Sequence, residues 1–376
     1  MRHLVLLALA LMLGGCRRHE RPEKPAAIAT STSACNKGPE LTVKLAGFSD
    51  RPVLMHLPPA YDCDKRLPVV MMLHGGGGRS EHAAESTCPF PYTGLGKKHH
   101  PPDAGAPGCL DALADREGFI VVYPSGALSK HNPVKGARAW KIAPAVDGYV
   151  CTGRGVCDVK VDELSYFRAL LKELKEHYFA DGSRIYSTGI SNGALMSYRL
   201  ACEMSEEIAA IAPVAGSDMF ELTGKCKPKR PVPILHIHGA VDPVYPFEGG
   251  ESRVLGGRYL SVCEGLFGSD LCAPTEITSK RRFPGWLARN GCKPPLQRDV
   301  WDPTPGNATR VIRTRPDCPP AGEIQLLLDE SSGHAWPGGW QYLPARDRLV
   351  LPGVGPAGRE MSANEVIWAF FERHRR

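Results

Sequence analysis

Gly189-Ile190-Ser191-Asn192-Gly193 is the stretch whose residue types and spacing best fit a catalytic nucleophile. It lies between a run that reads as a strand and a segment with helical spacing. Glycines two positions either side of a serine allow a sharp strand-to-helix turn, because larger side chains there would clash. Such a turn lifts the Ser191 hydroxyl above the sheet. It also aims the N–H of Asn192 and the helix N-terminus at an incoming oxyanion. The bland alternative is a glycine-rich turn with an idle serine. A serine needs a base beside it and usually an acid to hold that base. On a turn of this kind the acid and then the histidine follow later in the chain. His236-Ile237-His238-Gly239-Ala240-Val241-Asp242 ends a strand-like run, and Asp242 falls just past its C-terminal edge. Ligand chemistry gathers at that edge in open α/β sheets. Gly333-His334-Ala335-Trp336-Pro337-Gly338-Gly339 then supplies a loop histidine third in order. The expected roles are Ser191 as nucleophile, His334 as base and Asp242 as acid, against a solvated turn aspartate for Asp242. His236 and His238, inside the strand, read as packed core histidines. Trp336 reads either as a substrate contact lining the acyl pocket or as a structural aromatic.

His74-Gly75-Gly76-Gly77-Gly78 follows the first buried strand, where enzymes of this design draw the second oxyanion N–H. Gly76 is the expected donor, with Gly75 and Gly77 left open. Glycines here let backbone approach a substrate closely. A phosphate-binding reading is poor, because no Lys-Ser/Thr follows as in a P-loop. The sequence has no CxxC, no HExxH and no Cys/His spacing typical of zinc, so neither a metal nor a cofactor is expected. Lys97-Lys98-His99-His100 reads as a solvated loop.

These residues need a scaffold with several strand ends at one edge. Leu67–Leu73 and Phe119–Tyr123 are continuous apolar runs, as expected for strands buried on both faces of a parallel sheet. Arg184–Gly189, Ile208–Val214, Pro233–Gly239 and Ile324–Leu328 read as further strands, with Leu41–Leu45 and Val53–Leu57 as two short ones before them. Val161, Leu164, Phe167, Leu171, Leu174 and Tyr178 repeat every three or four residues with charges between, predicting a helix over about 160–178. Asn192–Met204 and Ala363–Phe371 read as two more helices. Strands alternating with helices imply an α/β class with a mostly parallel sheet and helices on both faces. Residues 79–118, 127–157 and 248–282, rich in Gly, Pro and Cys, interrupt the alternation as long loop insertions.

The 376 residues are 43% apolar and 23% charged, ordinary for a globular chain and wrong for a disordered one. The net charge of +6 is spread along the chain, too weak to argue for a nucleic-acid partner. The N-terminus, MRHLVLLALALMLGGC, carries ten uninterrupted apolar residues from Leu4 to Leu13. A helix that long spans about 15 Å, half a bilayer core, so it reads as an export signal rather than a span. Leu13-Gly14-Gly15-Cys16 resembles a bacterial lipobox, with Cys16 as the lipidation site. The alternative is a plain secretory signal. The expected domains are a signal peptide over 1–16, a flexible tether over 17–40 and one catalytic domain over 41–376. A lipid anchor is then the only expected membrane contact, and the location is exported, either in the cell envelope or extracellular. Of 13 cysteines, Cys16 taken out leaves twelve, an even number that permits disulfides in an oxidising compartment. Cys88 and Cys109, Cys151 and Cys157, and Cys263 and Cys272 fall in the three long loops, where disulfides are the simplest staples. Sequence alone does not set the pairing.

Taken together, HGGGG, STGISNGALMSYRLAC, AAIAPVAG, HIHGAVDPVYPFEGG, GHAWPGG and ANEVIWAFF resemble the polyhydroxybutyrate depolymerase and feruloyl esterase group of secreted α/β-hydrolases over about residues 40–373. The resemblance implies an α/β-hydrolase fold and carboxylic-ester hydrolysis through Ser191, Asp242 and His334. Ala194 stands where that group more often has a second glycine. The insertions at 79–118 and 248–282 depart further, near the expected site mouth, and leave the substrate open. Depolymerases of solid polyester in the group often carry an added binding module. Here the chain ends at Arg376, so hydroxyalkanoate oligomers or similar small esters are expected. Feruloyl or acetyl esters of plant polysaccharide are the alternative. A binding protein on an inactive hydrolase scaffold is the competing class. Such proteins typically lose a member of the triad, and all three residues are present here in the right order.

Overall fold

The apolar runs at 67–73, 120–124 and 210–214 are buried along nearly their whole length because each lies inside a parallel sheet covered on both faces. The chain is described by a computed structural model over residues 40–62, 64–89, 107–129, 136–143, 160–254, 257–273, 281–302, 310–339 and 354–376. Cys16, the expected signal peptide, the expected tether up to residue 39, Lys97 to His100, and Cys151 and Cys157 lie outside these residues.

In chain order the strands are β1 (Glu40–Val43), β2 (Val53–His56), β3 (Leu67–Leu73), β4 (Ile120–Pro124), β5 (Ala127–Leu128), β6 (Arg138–Ala139), β7 (Ala180–Ile190), β8 (Ala210–Val214), β9 (Ile234–Gly239), β10 (Gly250–Glu251), β11 (Arg258–Tyr259), β12 (Lys293–Trp301), β13 (Val311–Asp317) and β14 (Ile324–Asp329). Ten of them form one sheet in the order β1-β2-β4-β3-β7-β8-β9-β14-β13-β12. From β4 to β14 the neighbours run parallel, and antiparallel strands close both edges. This is the expected α/β-hydrolase arrangement. It brings the C-terminal ends of β3, β7, β8, β9 and β14 to one edge.

The helices are α1 (Ser80–Ser86), α2 (Leu110–Glu117), α3 (Glu163–His177), α4 (Asn192–Glu203), α5 (Val262–Phe267), α6 (Gly285–Arg289) and α7 (Ala363–Phe371). Asp162 caps α3 by accepting the N–H of Ser165 at 3.1 Å. Its buried stripe of Tyr166, Phe167, Leu170, Leu171 and Leu174 packs with Leu195, Met196 and Leu200 of α4 in one half of the core. Phe370 and Phe371 of α7 and Leu110 and Leu113 of α2 fill the other half. Each such side chain contributes roughly 1.5–3 kcal/mol of burial.

Three features depart from the sequence expectation. Residues 79–118 are not one loop: α1 and α2 occupy its ends, and a Cys88–Cys109 disulfide joins them. Residues 248–282 hold β10, β11 and α5, with Cys263 bonded to Cys272. The β12–β13 pair was not anticipated. Pro294 and Pro295 disguise β12, and as an edge strand it is largely exposed, so no alternation marks it. Two further disulfides, Cys202–Cys226 and Cys292–Cys318, brace the domain. Among the described residues no helix is long and apolar enough to cross a membrane.

Candidate active site

Ser191 ends β7 and starts α4 with φ 59 and ψ −122, a left-handed conformation rare for a residue with a side chain. Backbone contacts hold it there. Its N–H donates to Val214 O at 3.0 Å, and its carbonyl accepts the N–H of Leu195 at 3.1 Å. The flanking glycines are required by close approach. A Cβ on Gly189 would stand 2.7 Å from Leu73 O, and one on Gly193 would overlap Leu73 O and lie 2.8 Å from His74 O.

Asp242 follows β9 in a tight Asx turn. Its Oδ1 accepts the N–H groups of Val244 at 2.8 Å and Tyr245 at 2.9 Å, which leaves Oδ2 to accept Nδ1–H of His334 at 2.8 Å. Both side chains are buried. Burial alone would raise the Asp242 carboxyl, but the His334 imidazole and its hydrogen bond outweigh it and hold the group below its ordinary range. With the proton on Nδ1, the neutral His334 ring carries its lone pair on Nε2, as a general base requires. The loop that carries His334 is pinned by backbone. Its N–H donates to Val354 O at 2.6 Å, and the N–H of Gly333 donates to Pro356 O at 2.8 Å. The Tyr245 ring stacks on the imidazole with centroids 5.6 Å apart. Ser191, Asp242 and His334 therefore stand at the ends of β7, β9 and β14, within a run of adjacent strands about 4.8 Å apart.

The glycine loop after β3 is held just as firmly. Gly126 N–H donates to His74 Nε2 at 2.9 Å, so the neutral His74 ring has its proton on Nδ1 and donates it to Gly75 O at 2.7 Å. Burial pushes His74 down to about 3, so it stays neutral. Gly77 N–H donates to Arg138 O at 2.7 Å and Gly78 N–H to Gly75 O at 3.0 Å, which removes Gly77 from the oxyanion candidates. Gly76 faces the elbow: a Cβ built on it would meet Asn192 Cβ at 3.7 Å.

Trp140 is one of two residues here that the sequence did not single out, since it lies in the stretch that reads as a long loop. Its N–H donates to Asn192 Oδ1 at 2.6 Å, its carbonyl accepts from Asn192 Nδ2 at 3.1 Å, and its indole N–H donates to His74 O at 2.9 Å. Glu163 secures the segment by accepting Lys141 N–H at 2.9 Å while paired with buried Arg51 at 2.5 Å. Tyr245 was also missed. Its signal was its place three residues beyond Asp242 in Asp-Pro-Val-Tyr.

Trp336 corrects an expectation. Its ring is 1% exposed within the α7 half of the core, and its indole N–H donates to Asn364 Oδ1 at 3.0 Å. Asn364 in turn donates to Thr87 O and Gly108 O, so this tryptophan ties the His334 loop to the Cys88–Cys109 staple and has no surface to offer a substrate.

No family model matches the chain. It is 27% identical to feruloyl esterase B of Piromyces equi over 287 residues, 76% of this chain and 42% of the relative. It is 32% identical over 174 residues to a bifunctional acetylxylan esterase/xylanase of Neocallimastix patriciarum, 46% of this chain and 21% of the relative. Feruloyl esterase C of Emericella nidulans is 22% identical over 275 residues, 72% of this chain and 82% of the relative. The chain thus spans less than half the length of the Piromyces and Neocallimastix relatives. Among solved structures, the acetyl xylan esterase from Aspergillus awamori aligns over 79% of this chain and 94% of its own, at 14% identity and a TM-score of 0.46.

Proposed function

We propose that the protein is a serine carboxylic-ester hydrolase acting on feruloyl or acetyl esters of plant polysaccharide. The carrying observation is the buried His334–Asp242 hydrogen bond, at the same sheet edge as a serine held at φ 59. Ser191 attacks the ester carbonyl while His334 Nε2 takes its proton. Asp242 orients the imidazole and stabilises its charged form. The N–H groups of Asn192 and Gly76 receive the tetrahedral oxyanion, each worth roughly 3–4 kcal/mol in such sites. His334 then protonates the leaving alcohol, and water attacks the acyl-enzyme by the reverse path. That feruloyl and acetylxylan esterases are among its relatives supports this substrate class over the hydroxyalkanoate oligomers that the sequence resemblance put first.

The test is turnover of p-nitrophenyl acetate, methyl ferulate, acetylated xylan and hydroxybutyrate oligomers by wild type and Ser191→Ala. The expected result is turnover of the first three, with kcat reduced by at least about 10⁴-fold in the variant. Equal rates would sink the nucleophile, and preference for the hydroxybutyrate oligomers would sink the substrate class. Export with lipidation at Cys16 is part of the same proposal. Four disulfides among the described residues suit an oxidising compartment. Cys16→Ala that stays membrane-bound would overturn the anchor.

A further inference from the structure

Behind Asp242 runs a line of buried polar side chains that the triad does not itself use. The hydroxyl of Tyr198 lies 2.7 Å from His236 Nδ1, and His236 Nε2 lies 3.1 Å from His238 Nδ1. His238 Nε2 lies 2.8 Å from Tyr245 O and 3.6 Å from Asp242 Oδ2. One proton assignment satisfies the whole line. A carbonyl only accepts, so His238 carries its proton on Nε2 and gives it to Tyr245 O. His238 Nδ1 then accepts Nε2–H of His236, and His236 Nδ1 accepts the Tyr198 hydroxyl proton. The two imidazoles stack at 5.3 Å with planes 15° apart, and all three side chains are at most 1% exposed. Burial lowers both histidines, so neither takes a second proton that would break the line.

Tyr245 is where the line meets the catalytic pair. Its N–H donates to Asp242 Oδ1, its carbonyl receives the His238 proton, and its ring stacks on His334. We propose that His238 is a positioning residue for the acid–base pair. Directed by His236 and Tyr198, its Nε2–H anchors Tyr245 and faces Asp242 Oδ2, keeping that oxygen turned toward His334 Nδ1. Core packing alone would need only the volume of these rings. Three polar groups aligned in an apolar core are costly unless each is satisfied, and here the orientation they enforce ends on the triad acid. For its kinetic consequence the inference rests on the triad reading above.

The experiment pairs His238→Phe, which keeps a ring and removes the donor, with His238→Gln, whose amide N–H restores a donor toward Tyr245 O. For His238→Phe the expected result is a kcat on p-nitrophenyl acetate lower by roughly ten- to a hundred-fold with KM unchanged. The downfield NMR proton of the His334–Asp242 bond should shift as well, and His238→Gln should recover most of both. A folded His238→Phe with wild-type kcat and an unshifted downfield proton, whatever its melting temperature, overturns the proposal. Nitrogen-15 NMR of the wild type decides even if the variant does not fold. The expected tautomers are Nε2–H for His236 and His238 and Nδ1–H for His334, and a His238 proton on Nδ1 overturns the proposal. Full activity of Ser191→Ala would sink the triad reading separately, because the proton signal and tautomers report on His238 without catalysis.

Discussion

Asn192 and Trp140 grip each other by two hydrogen bonds, Trp140 N–H to Asn192 Oδ1 at 2.6 Å and Asn192 Nδ2 to Trp140 O at 3.1 Å. The residue after Ser191, the proposed nucleophile, is thereby bonded to the same segment that holds His74 O and Gly77 N–H. Elbow and glycine loop form one unit, and the two N–H groups proposed to receive the oxyanion keep their spacing before substrate arrives.

Asn192→Ala breaks both bonds and leaves the backbone N–H in place. The expected outcome is a loss of about 1–3 kcal/mol of stability and roughly ten-fold in kcat. Thermal melts and initial rates on p-nitrophenyl acetate check it. A variant with wild-type kcat would mean that the grip is irrelevant to the oxyanion.

Asp242→Asn keeps the size of the acid and replaces one acceptor with a donor, so His334 can no longer keep its proton on Nδ1 toward it. The expected loss is on the order of 10⁴-fold in kcat, with the fold retained by circular dichroism. The pH dependence has a definite sign. The folded carboxyl is held below its unfolded value, so its pairing stabilises the fold above the ordinary carboxylate range. That stabilisation is lost as pH falls below it. The gap in melting temperature between wild type and Asp242→Asn should therefore shrink below about pH 4.

The three residues proposed as a triad each carry local marks in the sequence: glycines two residues either side of Ser191, a strand end before Asp242, and Gly-His-Ala-Trp after the last parallel strand. The parallel strands were legible from apolar runs, and α3 from its spacing. What stayed hidden depends on contacts distant in sequence. Trp140 bonds to residues 66 and 52 positions away, so nothing near it in the chain marks its role. His236 and His238 read correctly as buried, but their shared proton order depends on Tyr198 and Tyr245, which only the folded chain brings to them. Trp336 kept two readings in the sequence, pocket wall or structural aromatic, because only the folded chain brings Asn364 to its N–H and settles it in the core.

Gly193→Ala tests the close approach at the elbow. The added methyl would overlap Leu73 O, a backbone atom inside the sheet that has no room to retreat. Soluble yield should collapse, or a folded fraction should have kcat reduced by roughly a hundred-fold as Ser191 shifts. Wild-type yield and rate would refute the contact.

Asp111 offers a test away from the active site. It lies buried in α2, with Oδ1 accepting the Tyr123 hydroxyl proton at 2.5 Å. Burial pushes its carboxyl up to about 6 from 3.8, against the opposing pull of His56 and the Tyr123 bond. The folded chain therefore holds this proton between about pH 4 and pH 6, while the unfolded chain releases it. Stability from this group is complete below pH 4 and falls as pH rises through 6, by an amount on the order of 3 kcal/mol at most. Asp111→Asn is neutral at every pH and still offers an oxygen to Tyr123. Denaturant melts should show the variant level with wild type at pH 4 and more stable by about 1–3 kcal/mol at pH 8. A variant less stable than wild type at pH 8 would mean that the charged carboxylate is stabilised where it sits. His56, with Nδ1 4.0 Å from Asp111 Oδ2, would then be the group to replace next.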